Sequence, residues 1–308
     1  MSAQQNLIYN GDFEIYDTCP VNISTPGDLQ IEHCIGWTSP TKLGTSDYFN
    51  VCNNLTSSHF VGVPANMLGF QYPYNGDGYS GILSWMVSTN GINYREYIQT
   101  KLLKKLEVGK SYNVAFNVAF SGSGYAIEKI GALLSANSYS ANTWQPLAVT
   151  PQVINDSGIL SDSLNWTKVE GIFEAIGNEE YLTIGYFVDS LNVMDTVNIY
   201  NDPFTTYFSY YYIDRISLVE LPCNNAIPNI YTPNNDGIND IFKIKICDTT
   251  NFNLTIYNRW GIKIFETTNH NQGWDGRTTS GEECMDGNYF YVLETKEKKI
   301  KGFVQLIR

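Results

Sequence analysis

The sequence predicts an all-β protein built from two β-sandwiches, and three features of its composition and patterning lead there. Only 16% of the 308 residues are charged while 14% are aromatic, including 22 Tyr, a balance suited to half-buried pleated surfaces rather than to solvated helices. Short runs rich in Val, Ile, Tyr and Phe recur along the chain, each bounded by Gly, Asn, Asp or Pro, as the strands and turns of a sandwich are. In one run, 111–120, the pattern has a period of two, so Tyr112, Val114, Phe116, Val118 and Phe120 share a face expected to lie in the core.

Taken in order, residues 94–100, 111–120, 129–135, 167–175, 181–188 and 210–220 are predicted strands. Ser121-Gly122-Ser123-Gly124 reads as a flexible turn. Residues 53–93 and 192–207 hold many Gly, Pro, Tyr and Asn and little periodicity, and loops this long are functional or carry short elements of their own. At 221–225 a strand ends and Pro222, Asn224 and Asn225 break regular structure, which places a domain boundary there. Two domains follow, 1–221 and 222–308. The second reads as a small antiparallel, Ig-like sandwich with strands at 241–246, 253–258, 262–267, 288–295 and 302–307.

The net charge of −12 is carried by the first domain, because residues 222–308 hold equal numbers of basic and acidic side chains. An acidic surface repels phosphate backbones and anionic headgroups, so nucleic acid and membrane surfaces are disfavoured partners. No apolar run approaches the ~20 residues of a spanning helix, and no signal-peptide core is present. The chain therefore reads as a mature protein lacking its export signal. Its six Cys divide into Cys19, Cys34 and Cys52, then Cys223, Cys247 and Cys284. An exported protein favours disulfides, yet three per domain leaves one thiol free in each or forces a bridge across the boundary. With no Cys-x-x-Cys and scattered His, a zinc site is not expected.

The second domain carries four blocks in order: Ile227 to Phe242 with Pro233, Asn234, Asp236, Gly237, Asn239 and Asp240; then Asn258-Arg259-Trp260-Gly261; then Trp274-Asp275-Gly276; then Gly287 to Tyr291. Together they resemble the gliding-motility-associated C-terminal domain of Bacteroidota, the type B sorting domain of the type IX secretion system. The resemblance implies secretion or display on the outer cell surface, with the translocon and its outer-membrane shuttle or acceptor proteins as partners. It says how the protein travels, not what it does on arrival. On physical grounds, Asn234, Asp236 and Asp240 around Gly237 form either a turn fixed by side-chain bonds to backbone or, with Lys243 where an acid would complete it, an incomplete calcium loop. The two Trp would cover the ends of a thin sandwich. Contact with the machinery would then lie elsewhere, on an exposed strand edge or on the final strand near Arg308.

In the first domain, residues 7–14 and 211–218 resemble the first and last strands of galactose-binding-like jelly rolls, the fold of many carbohydrate-binding modules. That resemblance implies a structural calcium ion held by Glu14 and Asp214. Arg215 stands where the family often has a second Asp, so an ion pair between Arg215 and Glu14 is the competing expectation. A carbohydrate ligand needs flat aromatic faces with amides and carboxylates around them. Tyr72, Tyr74, Tyr79, Trp85, Tyr94, Tyr139 and Trp144 offer faces, with Tyr74, Trp85 and Trp144 as the principal candidates, and Asn75, Asp77, Asn90, Asn93 and Gln145 offer polar groups. Packing is the competing role for each aromatic.

Catalysis is not expected. No carboxylate pair stands out among 31 acidic residues, and there is neither a nucleophile elbow with a His partner nor a phosphate-cradling Gly motif. The passenger is expected to be a glycan-binding or adhesive module; the alternatives are a structural, protein-contacting passenger and, below both, a hydrolase. A concave aromatic cleft marks the first, an exposed apolar patch the second, and two facing carboxylates with raised pKa the third.

Overall fold

A computed structural model of the chain describes residues 4–55, 60–87, 93–188, 196–198, 208–222, 225–247 and 249–308. Two compact units are present, Met1–Leu221 and Pro222–Arg308. Short 3-10 turns at Gln30–His33 and Val51–Leu55 are the helical elements among the described residues.

The first unit is an antiparallel sandwich. Its front sheet runs Thr167–Glu174, Ser111–Ile127, Phe208–Glu220, Gly78–Val87, Asp47–Asn50, and its back sheet runs Trp37–Thr38, Tyr97–Lys101, Tyr181–Tyr186, Ile130–Ser135, Val153–Ile154. Tyr112, Val114, Phe116, Val118 and Phe120 all point into the space between the sheets, so the two-residue period identified the core face correctly. They meet Ile98, Ala132, Leu134, Leu182 and Ile184 from the back sheet. Burying each such side chain is worth roughly 1.5–3 kcal/mol. The start of the chain lies along the last strand, where the Leu7 N–H donates to Leu218 O at 2.8 Å.

Two sequence expectations change here. Ser121 to Gly124 is no turn but part of the strand Ser111–Ile127. Gly122 and Gly124 have φ of +87° and +84°, and the pairing register with the last strand shifts between Ser209 and Tyr211, the signature of a bulge. The region 53–93 contains the ten-residue strand Gly78–Val87, which lies between two others in the front sheet. A strand covered on both faces has no polar side to reveal it by alternation.

The outer face of the front sheet carries a second core. Phe49, Tyr79, Tyr210, Tyr212 and Ala119 are covered there by Val61 and Val63, with Phe49 stacked on Tyr79 at 5.3 Å and edge-on to Tyr212 at 5.4 Å. The hairpin Ala65–Asn66/Gly69–Phe70 lies against the sheet backbone, since a Cβ on Gly69 would come within 2.5 Å of Ser121 O. A disulfide between Cys19 and Cys52 ties two segments near this cover.

The second unit holds one five-stranded sheet in the order Ile230–Tyr231, Lys299–Leu306, Gly287–Glu294, Asn253–Tyr257, Lys263–Thr267. Its other layer is thin and built from isolated bridges, among them Phe242 to Trp274 and Ala226 to Lys245. The expected strand at 241–246 is reduced to these bridges because its residues pair one at a time. Trp274, fully buried, fills the space between the layers with Tyr231, Phe242, Tyr289 and Tyr291. Cys247 is disulfide-bonded, Cys223 lies outside the described residues, and Cys34 and Cys284 are free thiols, one in each unit.

Candidate functional site

Glu14 and Asp214, assigned together from the sequence, both hold the same loop. Glu14 Oε1 accepts the N–H groups of Asp77 and Gly78 at 2.9 and 3.0 Å. Asp214 accepts the Tyr74 N–H on Oδ2 at 2.8 Å and the Arg215 N–H on Oδ1 at 2.6 Å. Burial pushes Asp214 up to about 8, outweighing these bonds and one from the Asn75 backbone, with Glu14 adding to the rise. Burial raises Glu14 as well. The Arg215 guanidinium turns to Asn75 Oδ1 at 3.1 Å, so the expected ion pair with Glu14 is absent. Among the described residues no group of three or more His, Cys, Asp or Glu side chains gathers as a metal cluster. The fit to a hard cation is therefore partial: Glu14 adds to the rise at Asp214, but the carboxylates are two rather than three, and both oxygens of Asp214 already accept backbone hydrogens.

The loop held in this way displays aromatics. The Gln71 N–H donates to Pro64 O at 2.8 Å, and the Trp166 indole N–H donates to Tyr72 O at 2.9 Å. Gln71 is buried, whereas Phe70, Tyr72 and Tyr74, at alternate positions, are exposed by 55%, 65% and 50%. Phe70 and Tyr72 meet edge to face at 5.5 Å. Met67 and Leu164 are exposed as well. Phe70 was not singled out in the sequence, although the alternation Phe70-Gln71-Tyr72-Pro73-Tyr74 carries it.

The other expected sugar-facing residues separate. Trp85 is only 6% exposed and packs edge-on to Tyr125 at 5.6 Å inside the main core; the strand that carries it turns it between the sheets. Tyr79 is fully buried. The Tyr94 hydroxyl is committed to the Glu96 carboxylate at 3.0 Å. Tyr139 packs on the small cluster around Tyr97 and Leu147. Trp144 is exposed, in a segment whose backbone O accepts the Arg95 N–H. Asn90 lies outside the described residues.

A carboxylate pair is present, but sealed inside. Asp47 accepts the Ser24 N–H and the Tyr210 O–H, each at 2.6 Å. Glu96 accepts the Thr45 N–H, the Thr45 O–H and the Leu83 N–H at 3.0, 2.7 and 2.7 Å. Burial, with Glu96 beside it, pushes Asp47 up to about 8, and burial raises Glu96. The two side chains are 4% and 3% exposed.

In the second unit the motif residues build turns. Asp240 accepts the N–H groups of Asn235 and Gly237 at 2.7 and 2.8 Å, and Asp236 accepts that of Ile238 at 2.8 Å. Asn234 accepts the Asp236 N–H at 3.1 Å, and the Thr232 N–H reaches Asn239 O at 2.9 Å. Of the two readings of residues 232–240, the bonds formed are those of the side-chain-fixed turn. Asn258 accepts from Trp260 and Ile262 at 3.0 Å, Asp275 accepts from Arg277 at 3.0 Å, and the Trp274 indole donates to Arg277 O at 2.7 Å. Gly261 and Gly276 have φ of +77° and +84°. Arg259 and Trp260, stacked at 4.6 Å, put bulk into solvent, as do Ile238 and Phe290.

Residues 225–306 match the family described as the CHU_C type IX secretion signal domain. The second unit is thus a type IX sorting signal, and the chain is secreted cargo exported across the outer membrane. No helix among the described residues is long and apolar enough to cross a membrane. No curated protein matches the chain. Among solved structures, the CBM22-1 xylan-binding domain of Paenibacillus barcinonensis Xyn10C is 12% identical, covering 73% of this chain and 99% of its own, with a TM-score of 0.36. The K1 cleaved adhesin domain of Lys-gingipain from Porphyromonas gingivalis W83 is 13% identical, covering 68% and 96%, with a TM-score of 0.32. Both likenesses are slight, and nothing about ligands follows from them.

Proposed function

We propose that the exported passenger binds a polysaccharide through Phe70, Tyr72 and Tyr74. The observation that carries this is their display, at alternate positions, on a backbone anchored by Pro64, Trp166, Asp214 and Glu14. A surface fixed before binding loses little entropy when a ligand docks. Aromatic faces take the C–H surfaces of sugar rings, while the Tyr hydroxyls, Asn75 and Asp77 supply partners for sugar hydroxyls. The acidic surface favours a neutral or cationic glycan. Binding rather than hydrolysis is proposed because the carboxylate pair Asp47 and Glu96 is buried away from this surface. A second reading, a protein-contacting passenger, draws on Met67 and Leu164, exposed side chains without a polar group.

Calcium at Glu14 and Asp214 belongs to the same proposal. A cation there would favour the ionised form of Asp214, which burial and Glu14 oppose, and stiffen the loop that both carboxylates hold.

The test is binding of the full chain to a panel of soluble and insoluble polysaccharides, with and without chelator. Saturable binding is expected, weakened about tenfold by Tyr72→Ala or Tyr74→Ala, the effect of losing roughly 1.4 kcal/mol. No binding across the panel, or wild-type binding by both variants, would sink the glycan reading. A melting temperature unmoved by calcium and chelator would remove the metal from it.

A further inference from the structure

The final strand of the sorting unit has one side only partly paired. Along one side, Lys299–Leu306 pairs antiparallel with Gly287–Glu294 over its whole length. Along the other it meets Ile230–Tyr231 at Gln305 and Leu306 alone, where the Gln305 N–H donates to Asn229 O at 2.8 Å and the Ile307 N–H to Tyr231 O at 3.2 Å. Alternation in an antiparallel strand turns the backbone groups of Lys299, Lys301 and Phe303 to that same side. None of their N–H groups has a backbone partner there among the described residues. The opposite edge, Lys263–Thr267, is partly covered, since Thr279 donates its N–H and its hydroxyl to Ile264 O at 2.9 and 3.0 Å.

We infer that this open edge, 299–303, is where the export machinery reads the sorting unit, by adding an extended strand of its own. Main-chain pairing would provide affinity, and the side chains flanking the edge would choose the partner. Phe303 is 55% exposed and lies opposite Phe290, itself exposed, in the ladder. Lys296, Lys298, Lys299 and Lys301 crowd the same hairpin end. Lys299 is engaged by Glu294, whereas Lys301 has no ion pair among the described residues. A second copy laid along this edge would set lysine against lysine, the device that keeps edges from pairing with themselves. An incoming strand with Asp or Glu facing Lys301 and an apolar side chain over Phe303 meets no such repulsion. The occupant is therefore an acidic, apolar-centred segment of an outer-membrane export component. This rests on the sorting assignment, and it narrows the expected contact on a strand edge or the final strand to residues 299–303.

The experiment expresses the full chain with an export leader in a type IX-competent bacterium and compares the extracellular and periplasmic fractions. Lys301→Pro removes an N–H with no internal partner and blocks strand addition, while Lys301→Glu reverses the charge on an exposed side chain. Both are expected to retain the melting temperature of the purified wild type within a few degrees and to cut the extracellular fraction about tenfold, with accumulation in the periplasm. Lys263→Glu, the same charge reversal at the opposite edge, is expected to export normally. Wild-type export of folded Lys301→Glu and Lys301→Pro would overturn the inference, as would dimerisation of the purified chain through this edge in sedimentation measurements. Failure of the wild type itself to leave the periplasm would instead count against the sorting assignment beneath it.

Discussion

Glu14, Gly76 and Asp214 show how few side chains fix the proposed binding surface. Gly76 has φ of +77°, and a Cβ there would lie 2.3 Å from the Glu14 carboxyl carbon. Gly76→Ala is therefore expected to destabilise the first unit by roughly 1–3 kcal/mol, combining left-handed backbone strain with displacement of Glu14. Denaturant unfolding checks this, and a stability equal to wild type would mean that the loop relaxes freely. The Glu14 and Asp214 pairing was read in the sequence by its resemblance, and the two residues do converge on one loop. Trp85 was misjudged because an isolated aromatic in a Gly- and Tyr-rich region gives no sign of which way its strand faces. The sequence carries Phe70 in its alternation with Tyr72 and Tyr74, whose shared exposure follows from the anchored loop.

The segments of the front sheet behave as one element with their cover. Val61, Val63 and Leu68 pack over Phe49, Tyr79, Tyr210 and Tyr212, so this aromatic face of the sheet is closed. The Cys19–Cys52 bridge, spanning 33 residues of sequence, limits how far this region can open. Cys52→Ser is expected to lower the unfolding free energy by about 3 to 4 kcal/mol, the chain-entropy value for a loop of that length. Equilibrium unfolding with reductant on the wild type should give the same loss; no change in either would show that native packing alone holds the segment. The strand 111–120 was legible because Tyr112, Val114, Phe116, Val118 and Phe120 alternate along one apolar face, and 210–220 because it is rich in Tyr, Ile, Leu and Val. Gly78–Val87 was not, because both of its faces are covered.

Across the molecule, buried acids set the pH response of the first unit. Asp47 and Asp214 are both pushed up to about 8 in the folded chain from the usual 3.8, in each case first by burial. The folded state thus keeps protons that the unfolded state has lost between about pH 4 and pH 8, so stability falls as pH rises through that window and levels off above it. The acids held below their usual range, Glu107, Asp162 and Glu170, act only under about pH 4.5 and do not offset this. Unfolding midpoints of the metal-free chain should fall from pH 5 to pH 8, and Asp47→Asn should flatten the slope; a flat or rising profile in the wild type would contradict it. In the other unit, the route of export was legible through the resemblance of its Asn, Asp, Gly and Trp blocks to the sorting-domain family; the Asn, Asp and Gly turns are local, whereas Trp274 packs on Tyr231, Phe242 and Tyr289 far along the chain. The all-β class and the inward face of the strand predicted at 111–120 were local matters of composition and period. What only the tertiary structure decided were non-local outcomes: which aromatics remain in solvent, which carboxylates are sealed in the core, and which strand edge is left unpaired. Each depends on segments far apart in the chain arriving at the same surface, and no period along the sequence records that meeting.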